Sequence, residues 1–265
     1  MDYHGGSTLI ITGGETAIGI ACARRLARMF GAITLSYRSD HAAAERLCAA
    51  IRASGARALA VAGDVGEPDA VEALFAASEA RFGVTRALVN AASTDLRGPQ
   101  IADLSIAHFV RTVRADLYAP FLTCRRFARA LAPCGALGAV GAGARGGIVN
   151  VSALHEISVE RGSASQLNAT LARELAPLGI ALHGIALGRI GAPTPAALFG
   201  GGVVLPGRGD PPVAVGQETP ADIAERIAVL LAPQVVGPAM AQRAAIAAPP
   251  AAAIAAETAD AGLAG

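Results

Sequence analysis

The residues with chemical potential gather first near the amino end. Residues 8–20 read Thr-Leu-Ile-Ile-Thr-Gly-Gly-Glu-Thr-Ala-Ile-Gly-Ile: an apolar run, a glycine turn and the opening of a helix. A first helical turn leaves backbone N–H groups without intrahelical partners, and the macrodipole adds positive potential, so such a turn attracts anions. Gly13 and Gly14 remove side chains where a pyrophosphate would approach, and they allow positive φ. The pattern also serves as a plain structural turn, and these residues alone leave both readings open. A second group, Ser152, His155 and Glu156, follows another apolar run. A histidine there could donate a proton near neutral pH, or simply cap or decorate a loop. No second histidine follows at helical spacing, so the His-Glu pair is not a zinc motif. Asp116 is a third candidate, a carboxylate able to accept a proton; buried without a partner, its pKa would rise. All 22 basic residues are arginine. The lack of lysine excludes Schiff-base chemistry and a Walker-type phosphate lysine.

The elements that must position these groups alternate strand and helix. Strands are expected at residues 8–11, 32–37, 58–62, 87–90, 147–151 and 181–185. Helices are expected at 17–30, 41–53, 68–82, 105–131, 167–176 and 219–231, with Pro120 marking a kink or join in the fourth. Residues 235–241 are read as an edge strand. Short apolar strands between amphipathic helices imply an α/β fold, a doubly wound parallel sheet covered on both faces. Its ligand crevice lies at the carboxyl ends of the strands. The glycine turn, residues 37–39, 63–65, 90–93 and 152–156 would meet there. The Gly- and Pro-rich segment 199–212 reads as a mobile loop and a lid. Residues 1–242 are expected to form one domain, and the alanine-rich residues 243–265 a poorly ordered tail.

Composition removes several function classes. The formal net charge is +1 with no acidic or basic block, so no nucleic-acid or anionic-membrane partner is expected. No apolar run is long enough to span a bilayer. The first six residues lack a basic and an apolar region, so no signal peptide is expected. The four cysteines, Cys22, Cys48, Cys124 and Cys134, form no Cys-x-x-Cys pair, which fits a reducing, cytoplasmic setting.

Thr12-Gly13-x-x-x-Ala17-Ile18-Gly19 resembles the Thr-Gly-x-x-x-Gly-x-Gly turn of the short-chain dehydrogenase/reductase family, with Ala17 at the middle glycine. Later segments follow in the family's order over about residues 7–241. Asp64 in Gly63-Asp64-Val65 resembles the family aspartate at the adenine, and Asn90-Ala91-Ala92-Ser93 resembles Asn-Asn-Ala-Gly. Tyr37-Arg38-Ser39-Asp40 and His155-Glu156 resemble the glucose dehydrogenase branch, and the chain is also similar to 3-oxoacyl reductases. The resemblance implies a three-layer Rossmann-type fold and a nicotinamide dinucleotide cofactor. Thr12, Gly13, Thr16, Ile18, Gly19, Arg38, Ser39, Asp64, Val65, Asn90, Ala91 and Gly188 would form its site. Arg38 stands where an acidic residue would bind the ribose hydroxyls of NAD, and a guanidinium suits a 2′-phosphate, so NADP(H) is expected over NAD(H).

The implied reaction is hydride transfer between the nicotinamide and a carbonyl or secondary alcohol. The family's catalytic residues are a serine and a Tyr-x-x-x-Lys pair. Ala153 stands at the serine, and its neighbour Ser152 points to the other face of the strand. Aligned one way, the pair is Gly162 and Gln166; aligned the other, Ile157 and Arg161. The chain's three tyrosines, Tyr3, Tyr37 and Tyr118, lie elsewhere. Two outcomes are therefore expected: a divergent enzyme with weak or altered activity, or a catalytically silent cofactor binder. Either would assemble as a homodimer, or as a hetero-oligomer with an active homologue through residues 105–131 and 167–176.

Overall fold

The structure is a computed structural model, and it describes residues 5–92, 105–132, 145–153, 158–187 and 219–236. The elements are β1 (Gly5–Thr12), α1 (Ala17–Leu26), β2 (Phe30–Tyr37), α2 (His41–Ala53), β3 (Arg57–Ala62), α3 (Pro68–Phe82) and β4 (Thr85–Asn90). There follow α4 (Ile106–Val113), a π turn (Arg114–Tyr118), α5 (Ala119–Leu131), β5 (Gly146–Ala153), α6 (Ser158–Leu175), β6 (Ile180–Leu187) and α7 (Pro220–Val236). The strands form one parallel sheet in the order β3-β2-β1-β4-β5-β6. The order reverses direction between β1 and β4, which opens a crevice at their carboxyl ends.

Successive strand residues face opposite sides, and both sides are apolar. Leu9, Ile11, Ile33, Leu35, Val89 and Val149 face α1, α2 and α7. Ile10, Leu88, Ile148 and Leu182 face α3, α5 and α6. Phe30, Phe75 and Phe127 are the bulkiest fully buried side chains, so both layers rest on packed apolar cores. Polar residues inside strands find local partners: the Thr34 hydroxyl donates to Ser78 Oγ at 2.9 Å across the β2–α3 contact. Caps end the helices where the sequence supplies them. Thr16 caps α1 and Asp40 caps α2, each side chain accepting from a first-turn amide. Thr219 and Asp222 exchange hydrogen bonds at the start of α7.

Three expected elements differ. The first helix ends at Leu26, because Phe30 already belongs to β2 and is fully buried there. The helix expected from 167 begins at Ser158; its glycine and serines are weak helix formers, yet packing against β6 holds them in a helix. Val235 and Val236 lie in α7, not in an edge strand; α7 runs through Pro233 and packs along α1. The expected join at Pro120 is a π turn immediately before it. There the Ala119 amide donates to the Arg114 carbonyl, five residues back.

Candidate functional site

The amino-terminal turn is built by close approach. Gly13 has φ +68°, and a Cβ there would lie 2.7 Å from the Ala92 Cα. A Cβ on Gly19 would lie 2.1 Å from the Gly13 carbonyl oxygen. The backbone of the turn therefore folds onto itself and onto the end of β4 with no room for side chains. Thr16 locks it: its hydroxyl lies 2.8 Å from the Gly13 carbonyl and accepts from the Gly19 amide at 3.0 Å. It also reaches the Ala91 carbonyl at 3.2 Å. The Gly13 amide donates to Ser36 Oγ and the Gly14 amide to the Ser36 carbonyl, tying the turn to β2. The first-turn amides of Ala17 and Ile18 have no intrahelical acceptor. Such a cradle, free of side chains and lined by amides, fits a pyrophosphate. Ile18 is buried beneath it, and the Ala17 methyl group, where the family pattern has glycine, is exposed.

Beside the turn lies a cleft of about 180 Å³ whose walls include Gly13, Thr16, Arg38, Asp64 and Val65. Those five expected residues thus converge. Asp64 Oδ1 accepts the Gly66 amide at 2.9 Å, which shapes the loop after β3. Ser39 sits at the rim, where its amide donates to Glu15. Tyr37 is buried, and its hydroxyl lies 2.7 Å from His41 Nδ1.

Several lining residues were not expected from the sequence. Glu15 Oε2 accepts the Arg38 and Ser39 amides, each at 3.3 Å, and Oε1 lies 3.6 Å from Arg38 Nε. Desolvation pushes the Glu15 carboxyl up. The amides of Ser39, Arg38 and Asp40 and the Arg38 charge outweigh it, so its pKa lies below the ordinary carboxylate value. Arg111 and Arg114 form the far wall. Arg114 donates to the Gly66 carbonyl at 3.1 Å and pairs with Glu67. The available signal for Glu15 was its place inside the turn itself; the two arginines carried none, because only the π turn brings them to the cleft.

Asn90 and Thr12 belong to a buried polar row. The strand registers align Thr12 with Asn90, Asn90 with Asn150, and Asn150 with Gly184. Thr12 and Thr123 hydroxyls lie 3.3 and 3.0 Å from Asn90 Oδ1. Asn90 Nδ2 donates to Asn150 Oδ1 at 2.8 Å, and Asn150 Nδ2 donates to Asn168 Oδ1 of α6 at 2.7 Å. A Cβ on Gly184 would lie 2.7 Å from Asn168 Nδ2, so glycine gives that amide its place. Every polar atom of the Asn90 side chain is thus engaged inside the protein. Ala91 is buried, and its amide donates to Thr12 Oγ1.

The remaining candidates do not assemble into one group. Asp116 lies in the π turn and is 8% exposed. Ser152 is half-buried on β5, beside Ala186 of β6. Gly162 and Gln166 both lie on α6, and Gln166 is exposed. His155, Ile157 and Gly188 lie outside the described residues, as does the segment 199–212. Burial pushes the Cys22 and Cys124 thiols up to about 12 and Cys48 to about 11, so none is a nucleophile near neutral pH. Among the described residues no cluster of His, Cys, Asp or Glu could hold a metal ion, and no helix is long and apolar enough to cross a membrane.

Comparison with known proteins bears on this geometry. The family model described as enoyl-(acyl carrier protein) reductase matches residues 13–238. The 3beta-hydroxysteroid dehydrogenase 1 of Eggerthella lenta is 31% identical over 207 residues, 73% of this chain and 74% of that protein. Glucose 1-dehydrogenase 2 of Bacillus subtilis is 24% identical over 194 residues, 70% of this chain and 72% of that protein. Among solved structures, a metagenomic short-chain oxidoreductase in complex with NADP superposes with a TM-score of 0.65 at 24% identity. It covers 86% of this chain and 91% of its own. An NAD+-bound xylitol dehydrogenase gives 0.62 at 24% identity, covering 71% of this chain and 72% of its own. Both share the fold.

Proposed function

Since the chain belongs to the short-chain dehydrogenase/reductase family of oxidoreductases, we propose that it binds NADP(H) in preference to NAD(H) and acts on a carbonyl or secondary alcohol with weak or altered efficiency. The observation that carries the reading is the amino-terminal turn. Gly13 and Gly19 leave no space for a Cβ, and the turn opens onto the cleft that holds Arg38 and Asp64. In this reading the first-turn amides of Ala17 and Ile18 hold the pyrophosphate. Asp64 and Val65 bound the adenine, and the Arg38 guanidinium reaches a 2′-phosphate. The bound nicotinamide would supply a hydride equivalent. The chain's own part is to bind, to orient and to deliver a proton, and the last task lacks its usual groups. A positioned acid contributes about 10²–10⁴-fold, so its loss leaves slow turnover. His155, Asp116 and Ser152 are the replacement candidates. The substrate class is a small sugar, steroid or oxoacyl compound, on the pattern of the relatives' names and the family description. Residues 1–242 form the binding domain in this proposal.

The absence of lysine and of a tyrosine near β5 favours a second reading. The chain would then be a silent NADP(H) binder that pairs with a copy of itself or with an active homologue. Ile106, Val110, Tyr118 and Phe121 are exposed along α4, the π turn and α5, and they would supply the contact.

Fluorescence titration with NADPH and NADH tests the binding claim, with Arg38→Ala as the variant. Loss of a charge-assisted contact of about 1.5–3 kcal/mol predicts NADPH affinity weakened about ten- to a hundredfold, and NADH little changed. Turnover on a panel of sugars, steroids and ketones then separates the two readings. Absence of NADPH binding by the native chain would refute both.

A further inference from the structure

We propose that Glu15 is a built-in competitor for the ribose phosphate of the cofactor, so that its carboxylate sets how strongly the site discriminates between phosphorylated and unphosphorylated adenosine ribose. The inference rests on the binding reading above. Beyond that reading, it assigns a role to a residue whose only polar contacts are with the opposite wall of the site.

The geometry is specific. A phosphate on the ribose at the end of β2 needs donors there, and the structure offers the Arg38 guanidinium and the Arg38 and Ser39 amides. All three face the Glu15 carboxylate, two at 3.3 Å and one at 3.6 Å. Glu15 leaves the glycine turn and Arg38 leaves β2, so the contact closes across the cleft, not along one element. The Arg38 side chain is 68% exposed, so no packing fixes it on Glu15 and it can turn to another anion. A dianion entering here would meet a carboxylate holding its donors, and like charges at this separation repel. An unphosphorylated ribose meets no such conflict: its hydroxyls are donors, and the carboxylate is an acceptor. Among the described residues no ion pair holds Arg111 on the facing wall. Neutralising Glu15 therefore leaves the cleft with uncompensated positive charge on both sides.

The test uses the full chain and calorimetric titration with adenosine 2′,5′-bisphosphate and adenosine 5′-monophosphate, alongside NADPH and NADH. Glu15→Gln keeps an acceptor for the two amides and removes the charge. It is expected to tighten the bisphosphate and NADPH about tenfold or more, and to change the monophosphate and NADH less than about threefold. Glu15→Ala should act in the same direction, and in Glu15→Gln with Arg38→Ala the gain should vanish. If NADPH binds the native chain but Glu15→Gln leaves the NADPH-to-NADH ratio unmoved, or weakens both, Glu15 merely shapes the loop. The inference then falls while the binding reading stands. If no probe binds either chain, both fall. Thermal unfolding of each variant shows whether the fold is retained, and a lost gain in an unfolded variant does not count against the double-mutant result because Glu15→Gln alone decides the ratio.

Discussion

Replacing Gly19 by alanine tests whether the turn is as tightly closed as its coordinates indicate. The new Cβ would lie 2.1 Å from the Gly13 carbonyl oxygen, where side-chain carbons keep at least 3.0 Å, so about 0.9 Å of backbone movement is required. The obstructing atom is backbone, and it also receives the Thr16 amide and hydroxyl at 2.9 and 2.8 Å. Neither can yield without loosening the turn. Overpacking of this kind costs about 1–3 kcal/mol. Alanine recovers up to about 1 kcal/mol as a better helix former. The net loss of stability is thus modest, about 1–2 kcal/mol. Binding should suffer more, because the displaced amides are those aimed at the pyrophosphate. One or two lost charge-assisted hydrogen bonds weaken NADPH about ten- to a thousandfold. Urea unfolding gives the first quantity and fluorescence titration the second. An unchanged urea midpoint together with unchanged NADPH affinity would refute the close-approach argument. A large loss of stability with intact binding would place the phosphate cradle elsewhere.

Two further outcomes follow from buried polar groups. Asn90→Leu strands the Asn150 carbonyl oxygen of its amide donor and the Thr12 hydroxyl of its acceptor. It should lower stability by about 2 kcal/mol or more, read as a reduced urea midpoint; a change within error would show that the polar row is dispensable. His183 is largely buried, its Nδ1 has no partner, and desolvation lowers its pKa below the ordinary 6.5. The unfolded chain therefore takes up the proton more readily. The stability tied to this group is whole above about pH 6.5 and is lost as pH falls through the lower folded value. His183→Val should flatten the urea midpoint between about pH 7 and pH 5; an equally steep decline in the variant would assign the acid sensitivity to other groups.

The fold was legible because its signals are local. Apolar strands, proline at the start of α3, Gly83 after it and the Thr-Gly turn each carry their own physical reason within a few residues. The site was legible only where a residue acts through its own turn, as Gly13, Thr16 and Gly19 do. Glu15 was overlooked because its partners lie more than twenty positions away and meet it only when β2 pairs with β1. Asn168 was overlooked for a similar reason. An asparagine inside a helix suggests solvent, and only the register that places Gly184 beside Asn150 admits it to the sheet. The start of α6 was misplaced because intrinsic propensity disfavours Gly162 and its neighbouring serines, and tertiary contact overrode it.

The π turn before Pro120 fixes the phase of everything after it. A regular helix advances about 100° per residue, and the Arg114–Ala119 closure accommodates one residue beyond that rhythm. Azimuths on the two sides of it are therefore offset: α4 shows Ile106 and Val110 to the outside, while α5 turns Phe127 and Leu131 inward. Removing a single residue from this stretch would straighten the rod and rotate one side against the other by about a quarter turn. Core and surface would then exchange places along one of the helices. Sequence length here is consequently as firmly constrained as sequence identity, and drift in this part of the chain can proceed by substitution but not by deletion.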